Sequence, residues 1–179
     1  MKKATLFISI IFILVFILIS DIVDRSIVFS QQPKFEIEDL TFLSDEELDT
    51  KKYYESFFDN PKYKFPRKNT IKIKLYKNRF LLSRLTSIAV NSQLKDELIN
   101  FFNNPVNFDW NETTWSVDES EYILRFFNEK DNEIGKVFLC LEGCGMTESL
   151  PFSPNMKFGG LSDIGMKKIL GIIEQIEKE

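Results

Sequence analysis

The chain opens on a stretch that water solvates poorly. Lys2 and Lys3 are followed by an uncharged run from Ala4 to Ser20, with FISIIFILVFILI at its heart, and Asp21 ends it. Two cations ahead of an apolar segment form the arrangement of an export signal, with the lysines staying inside. The run counts 17 residues, about 25 Å as a helix at 1.5 Å per residue. That is long for the core of a cleaved signal and at the short end of a bilayer span, roughly 17–25 residues. Cleavage needs small residues first and third before the cut. Leu18 spoils Ser20, whereas Ser30 with Val28 is acceptable and would leave Gln31 as the new N-terminus, well past the apolar run. An uncleaved single-pass anchor, inserted in the membrane through residues 4–20, is therefore favoured over a cleaved signal. Residues 1–30 then serve as signal or anchor with a tether, and residues 31–179 form one domain outside the cytoplasm, secreted or periplasmic if the signal is cut.

Histidine is absent and there are two cysteines. Ser-His-Asp and Cys-His nucleophiles, His-ligated zinc and a histidine pH switch are thereby excluded, and two cysteines cannot fill a four-ligand Cys-rich zinc site. No metal or cofactor is expected, and a non-enzymatic role is favoured over an enzymatic one.

Beyond the tether, Ser44-Asp45-Glu46-Glu47 has the spacing of a capping box and predicts a helix from Asp45 to Phe58, stopped by Asp59-Asn60-Pro61. Thr70 to Lys77 alternates as a half-buried strand, with Ile71, Ile73 and Leu75 inward and Lys72 and Lys74 outward. A second strand is expected near Phe80 to Val90. Asn91 or Ser92 caps a helix to Asn103, with Leu94, Leu98, Ile99 and Phe102 on one face and Asn104-Pro105 closing it. Tyr122–Phe127 and Ile134–Leu141 read as a hairpin about the polar loop 128–132, with a shorter strand at Thr113–Val117. Ser162 caps a last helix from Asp163 to Glu177, whose Ile169, Ile172, Ile173 and Ile176 stripe should pack on the sheet. The expectation is α+β: an antiparallel sheet of four or five strands packed by two or three helices, after an N-terminal hydrophobic helix.

Charge is segregated. Phe35–Thr50 carries seven acidic residues and no basic ones, whereas Lys51–Arg84 carries eleven Lys and Arg against Glu55 and Asp59. The basic block interleaves with Tyr53, Tyr54, Phe57, Phe58, Tyr63 and Phe65. Export argues against nucleic acid as its partner, despite that pattern. Lys62, Lys64, Arg67, Lys68, Lys72 and Lys74 form a candidate contact surface for anionic lipid or an acidic envelope protein. The competing and favoured reading is that the block folds against the chain's own acidic segments.

Cys140 and Cys144 lie in Leu-Cys-Leu-Glu-Gly-Cys-Gly at the end of the second hairpin strand. In an oxidising compartment this spacing predicts a disulfide that pins a turn, with a reactive dithiol as the alternative. Trp110 and Trp115 read as core anchors ahead of sugar-stacking residues, and Asn111-Glu112-Thr113 matches a glycosylation sequon. Asp118, Glu119 and Glu121 could supply a glycosidase-like acid and base but read as a solvated loop. Gly159-Gly160 before the last helix is a weak anion-binding signal, opposed by Asp163.

From Asn91 onward the order of features resembles a loose group of small exported bacterial α+β proteins with a close cysteine pair at a strand end. The features are the Asn-Pro helix stop, Asn107-Phe108-Asp109-Trp110, the Tyr122–Phe127 strand, Gly135 after an acidic turn, the cysteine strand, and Gly160-Leu161-Ser162. In that group the cysteines stand two residues apart where here the spacer is three. The resemblance implies the architecture and export, and carries no activity with it.

Overall fold

The computed structural model describes residues 8–15, 46–78, 87–110 and 116–178. Residues 8–15 are helical and present exposed Ile8, Phe12 and Ile13. Among the described residues no helix is long and apolar enough to cross a membrane. The ends of the apolar run, the Ser30 cleavage position, the tether and the Ser44 cap all lie outside the described residues, as do Phe80–Thr86 and Asn111–Trp115.

Helix α1 spans Glu46–Glu55. It ends three residues before the expected Phe58, where Ser56 turns its hydroxyl onto the Tyr53 carbonyl at 2.6 Å and the chain passes through turns to Pro61. Serine bonding locally to backbone in this way competes with helix continuation. Strands β1 (Lys72–Lys77) and β2 (Ser87–Ala89) pair antiparallel, and helix α2 (Ser92–Phe102) follows, its Asn91 Oδ1 accepting the Leu94 amide at 2.9 Å. Then come β3 (Phe108–Asp109), β4 (Tyr122–Phe127), β5 (Glu133–Cys140), β6 (Met146–Leu150), β7 (Gly160–Leu161) and α3 (Asp163–Glu177). The strands form one antiparallel sheet in the order β2-β1-β4-β5-β6-β7-β3.

The α+β class, the β4–β5 hairpin and the caps of α2 and α3 agree with expectation. The sheet is larger than expected, with seven strands. Two of the additional strands are two residues long and offer no alternation to read. The third, β6, inverts the usual pattern: Thr147 and Ser149 are buried toward the helices, satisfied by Thr147 donating to the Gly159 carbonyl and Ser149 accepting the Ser153 amide. Two further corrections concern single residues. Ile71 precedes the strand and stands 52% exposed, and Val117 belongs to a one-turn 3-10 helix, Val117–Glu119, where a strand was expected.

Helices α2 and α3 cover one face of the sheet, so Leu98, Phe102, Ile169 and Ile172 meet Ile73, Leu75, Leu124, Val137 and Leu139 in the main core. Helix α3 can approach so closely because residue 165 is glycine: a Cβ there would lie 1.9 Å from the Asn107 carbonyl oxygen. On the opposite face Tyr76, Ile123, Phe138 and Leu150 form a smaller cluster with Val117. Phe65, from the loop after α1, reaches the main core beside Phe102 and Phe126. Asn103 fixes that loop with both ends of its amide, accepting the Phe65 N–H at 2.7 Å and donating to the Phe65 carbonyl.

Candidate functional site

Cys140 ends β5, and Cys144 lies in the turn toward β6. The two are joined by a disulfide with their Cα atoms 5.8 Å apart, within the usual range for such a bond. Cys140 is buried and Cys144 half-buried. Gly143 and Gly145 take the two positive φ values of the turn, a conformation glycine adopts without penalty. Glu121, expected in a solvated acidic loop, instead reaches this turn. Its carboxylate accepts the amides of Leu141 at 2.6 Å and Glu142 at 3.2 Å, and one oxygen lies 4.0 Å from Cys140 Sγ. Glu119 accepts the Ser116 amide, also locally. Neither carboxylate is arranged as a partner for general acid–base work.

The six basic residues singled out in the sequence fall into two groups. Lys62, Lys64, Arg67 and Lys68 share the loop that Asn103 clamps. Lys62, Lys64 and Lys68 are exposed, whereas Arg67 is half-buried and donates to the carbonyls of Tyr63, Lys64 and Phe152. Burial pulls Arg67 below its ordinary value, opposed by Tyr63. Lys72 and Lys74 stand on the sheet face away from the helices, both over the Phe127 ring. Lys72 also pairs with Asp131. Residues not singled out in sequence extend this second group: Arg125 lies directly across from Lys74, and Lys136 directly across from Arg125. Like charges facing one another on neighbouring strands repel. Glu133 offsets this by meeting Arg125 at 3.3 Å and Lys136 at 3.1 Å, while Arg125 also stacks on Tyr76.

The connection from β6 to β7, in which the sequence singled out Gly159 alone, carries the least ordinary local structure of the described chain. It turns through a 3-10 helix, Pro154–Met156, into Lys157 at φ 53 and ψ −122. Glycine occupies that region readily; for a side-chain-bearing residue it costs about 1–3 kcal/mol. The Lys157 ammonium lies 5.6 Å above the Trp110 ring and donates to the Phe108 carbonyl. Burial lowers its pKa, partly offset by Asp109 and Glu55. Trp110 packs edge-on against Phe158 and Tyr54, and Tyr54 also meets Phe152. In the same connection Ser153 and Asn155 are buried, and neither the Ser153 hydroxyl nor either polar atom of the Asn155 side chain has a hydrogen-bond partner among the described residues. The Gly159-Gly160 pair has a packing role here. A Cβ on Gly159, at φ 89, would lie 2.0 Å from the Thr147 carbonyl oxygen.

Trp110 was expected to anchor the core but stands half-buried just past the end of β3 and outside both core clusters, and Trp115 and the Asn111 sequon lie outside the described residues. No sequence signal marks Lys157, because left-handed backbone is foreshadowed by Gly, Asn or Asp and lysine is none of these. Among the described residues no group of three or more Cys, Asp or Glu is placed to hold a metal ion. No family model, curated protein or solved structure matches the chain.

Proposed function

We propose that the protein is a non-enzymatic binding module of the cell envelope, tied to the membrane by its N-terminal apolar segment, whose basic loop rests on anionic lipid headgroups. The observation that carries this reading is the build of the loop. Asn103 and Arg67 fix its backbone from two sides, yet Lys62, Lys64 and Lys68 stand exposed on it beside Tyr63. A pre-ordered loop loses little entropy on contact, and each lysine near an anionic surface contributes about 1 kcal/mol. Aromatic rings with a polar tip suit the same boundary. Tyr63 packs on Phe57, and Phe57 on Tyr53, so an aromatic seam backs the cations. Lipid is preferred over an acidic protein because the apolar run would hold the loop close to a bilayer in any case.

The alternative of a thiol–disulfide protein has less support. Cys140 is buried and faces the Glu121 carboxylate, which disfavours a thiolate there. The test uses the full chain in nanodiscs of zwitterionic lipid, with and without anionic lipid, and measures acetylation of individual lysines by mass spectrometry. The reading predicts that anionic lipid protects Lys62, Lys64 and Lys68 and that salt abolishes the protection. Equal labelling in both nanodiscs contradicts it.

A further inference from the structure

Among the described residues beyond the N-terminal helix, the exposed large apolar side chains are Ile71, Val106, Ile164 and Leu170. Such residues scattered singly carry no message, but Val106 and Ile164 share one corner of the molecule. Val106 stands 59% exposed in the 3-10 turn Pro105–Asn107 that follows α2, and Ile164 stands 53% exposed in the first turn of α3. Hydrogen bonds fix the backbone under both. Asn104 Oδ1 accepts the Val106 amide at 3.1 Å, and the Val106 carbonyl accepts the Ser162 hydroxyl at 2.9 Å. The Asn107 carbonyl accepts the Ser162 amide at 3.0 Å, and Ser162 caps α3 by accepting the Gly165 amide at 3.0 Å. One serine thus ties the two apolar positions together.

Cations border the pair. Lys167 and Lys168 are exposed and lie three and four residues after Ile164, on the same side of the helix. Lys168 also donates to Asn107 Oδ1 at 3.3 Å. Asp163 is the acid of that first turn, and it stands where the helix dipole favours negative charge. The basic loop joins the same corner through Asn103, which holds both backbone groups of Phe65 and precedes Val106 by one short turn.

We propose that Val106 and Ile164 dip into the acyl boundary of an anionic bilayer, with Lys167 and Lys168 at headgroup level. The proposal rests on the lipid reading of the basic loop and adds the second contact that fixes how the domain lies on the surface. Two side chains are far too small for a protein interface, which buries roughly 1,200–2,000 Å². A membrane asks for less, since binding there sums inserted apolar area with attraction of cations to anionic lipid. Rigid presentation strengthens the contact, because no backbone has to be ordered when it forms.

The test uses the full chain in phosphatidylcholine nanodiscs, with and without phosphatidylglycerol, and reads acetylation lysine by lysine. Anionic lipid should slow the labelling of Lys167 several-fold. In the double variant Val106→Ser with Ile164→Ser that protection should be lost, while Lys62, Lys64 and Lys68 keep theirs. Equal labelling of Lys167 in both nanodiscs, with the loop lysines still protected, overturns this proposal and leaves the loop reading standing. Absence of protection at all four lysines overturns both, and protection of Lys167 that survives the serine variant overturns the insertion of the apolar pair. Depth is read separately by a thiol-linked fluorophore on Val106→Cys, Ile164→Cys or Lys178→Cys, the native cysteines being bonded to each other. Spin-labelled acyl chains should quench the dye at positions 106 and 164 but not at 178, about 21 Å further along α3 than 164. Quenching at all three positions, or at none, contradicts the proposal.

Discussion

The two connections that flank strand β6 are built by opposite means. Before it, the turn of residues 141–145 gives its positive φ values to glycines, has a disulfide across it, and offers amides that Glu121 accepts. After it, the connection of residues 151–159 puts one positive φ on lysine, leaves the buried Ser153 hydroxyl and Asn155 side-chain amide without a hydrogen-bond partner among the described residues, and relies on aromatic packing around Tyr54 and Trp110. In the first turn every local demand is met by a residue suited to it, which is how stability is secured. The second violates two local rules within a few residues, and consistency across levels is what natural sequences relax at functional positions. The disulfide turn is thus locally consistent throughout, and the lysine connection is where the described chain departs furthest from local preference.

Alanine at two glycines separates the connections most sharply. Gly159→Ala should destabilise the protein by about 3–5 kcal/mol, since the methyl meets the Thr147 carbonyl and the residue keeps its φ of 89. Gly143→Ala, at φ 95 with nothing near the new methyl, should cost only the backbone term, about 1 kcal/mol. Chemical denaturation of both variants reads the difference directly, and equal losses would erase the contrast.

Next in size is the covalent tie. Replacing both cysteines with serine releases a ring closing over a sequence separation of 4, for which the chain-entropy estimate is about 2 kcal/mol. Glu121→Ala strips the partner from the buried Leu141 amide and should cost about 1–2 kcal/mol. Because both devices hold one turn, the triple variant should lose less than the two losses added together, a coupling that a mutant cycle measures. Strict additivity would mean that Glu121 and the disulfide act on different things.

The smallest effect concerns the exposed hairpin loop. The Lys72 ammonium holds the Asp131 carboxyl below its ordinary value, by hydrogen bond first and by charge second. A lowered acid contributes stability above its unfolded value and loses it as pH falls through the folded one. Asp131→Asn should therefore flatten the acid limb of the stability curve slightly and leave neutral stability almost unchanged, because Asn also tolerates the φ of 60 found there. A steeper acid limb in the variant would contradict that assignment.

How much of this was legible in the sequence varied with the physics of each feature. The Tyr122–Phe127 strand, the Ser162 cap and the isoleucine stripe of α3 are local, periodic signals, and they appear where the residues place them. The disulfide was expected from the cysteine spacing taken together with export to an oxidising compartment, with a reactive dithiol as the alternative, and the pair is bonded. Strand β6 was not, since its Thr147 and Ser149 face inward and are satisfied by backbone groups of the connection that follows the strand. The role of Glu121 depends on a turn 20 residues away, and the Lys74–Arg125–Lys136 row exists only once three strands are in register. Lys157 was invisible for a further reason: nothing in its side chain predicts the backbone it adopts.

The most direct test of the contrast between the two connections is equilibrium unfolding of the full chain with Lys157→Gly and with Lys157→Ala, in one mild detergent. Both variants lose the ammonium from the Trp110 ring, so they differ only in the backbone. If Lys157 is held in strained backbone, the glycine variant is more stable than the alanine variant by about 1 kcal/mol, despite glycine's greater unfolded-state entropy. An alanine variant as stable as the glycine one would mean that no strain is stored there, and the distinction between the two connections would fall.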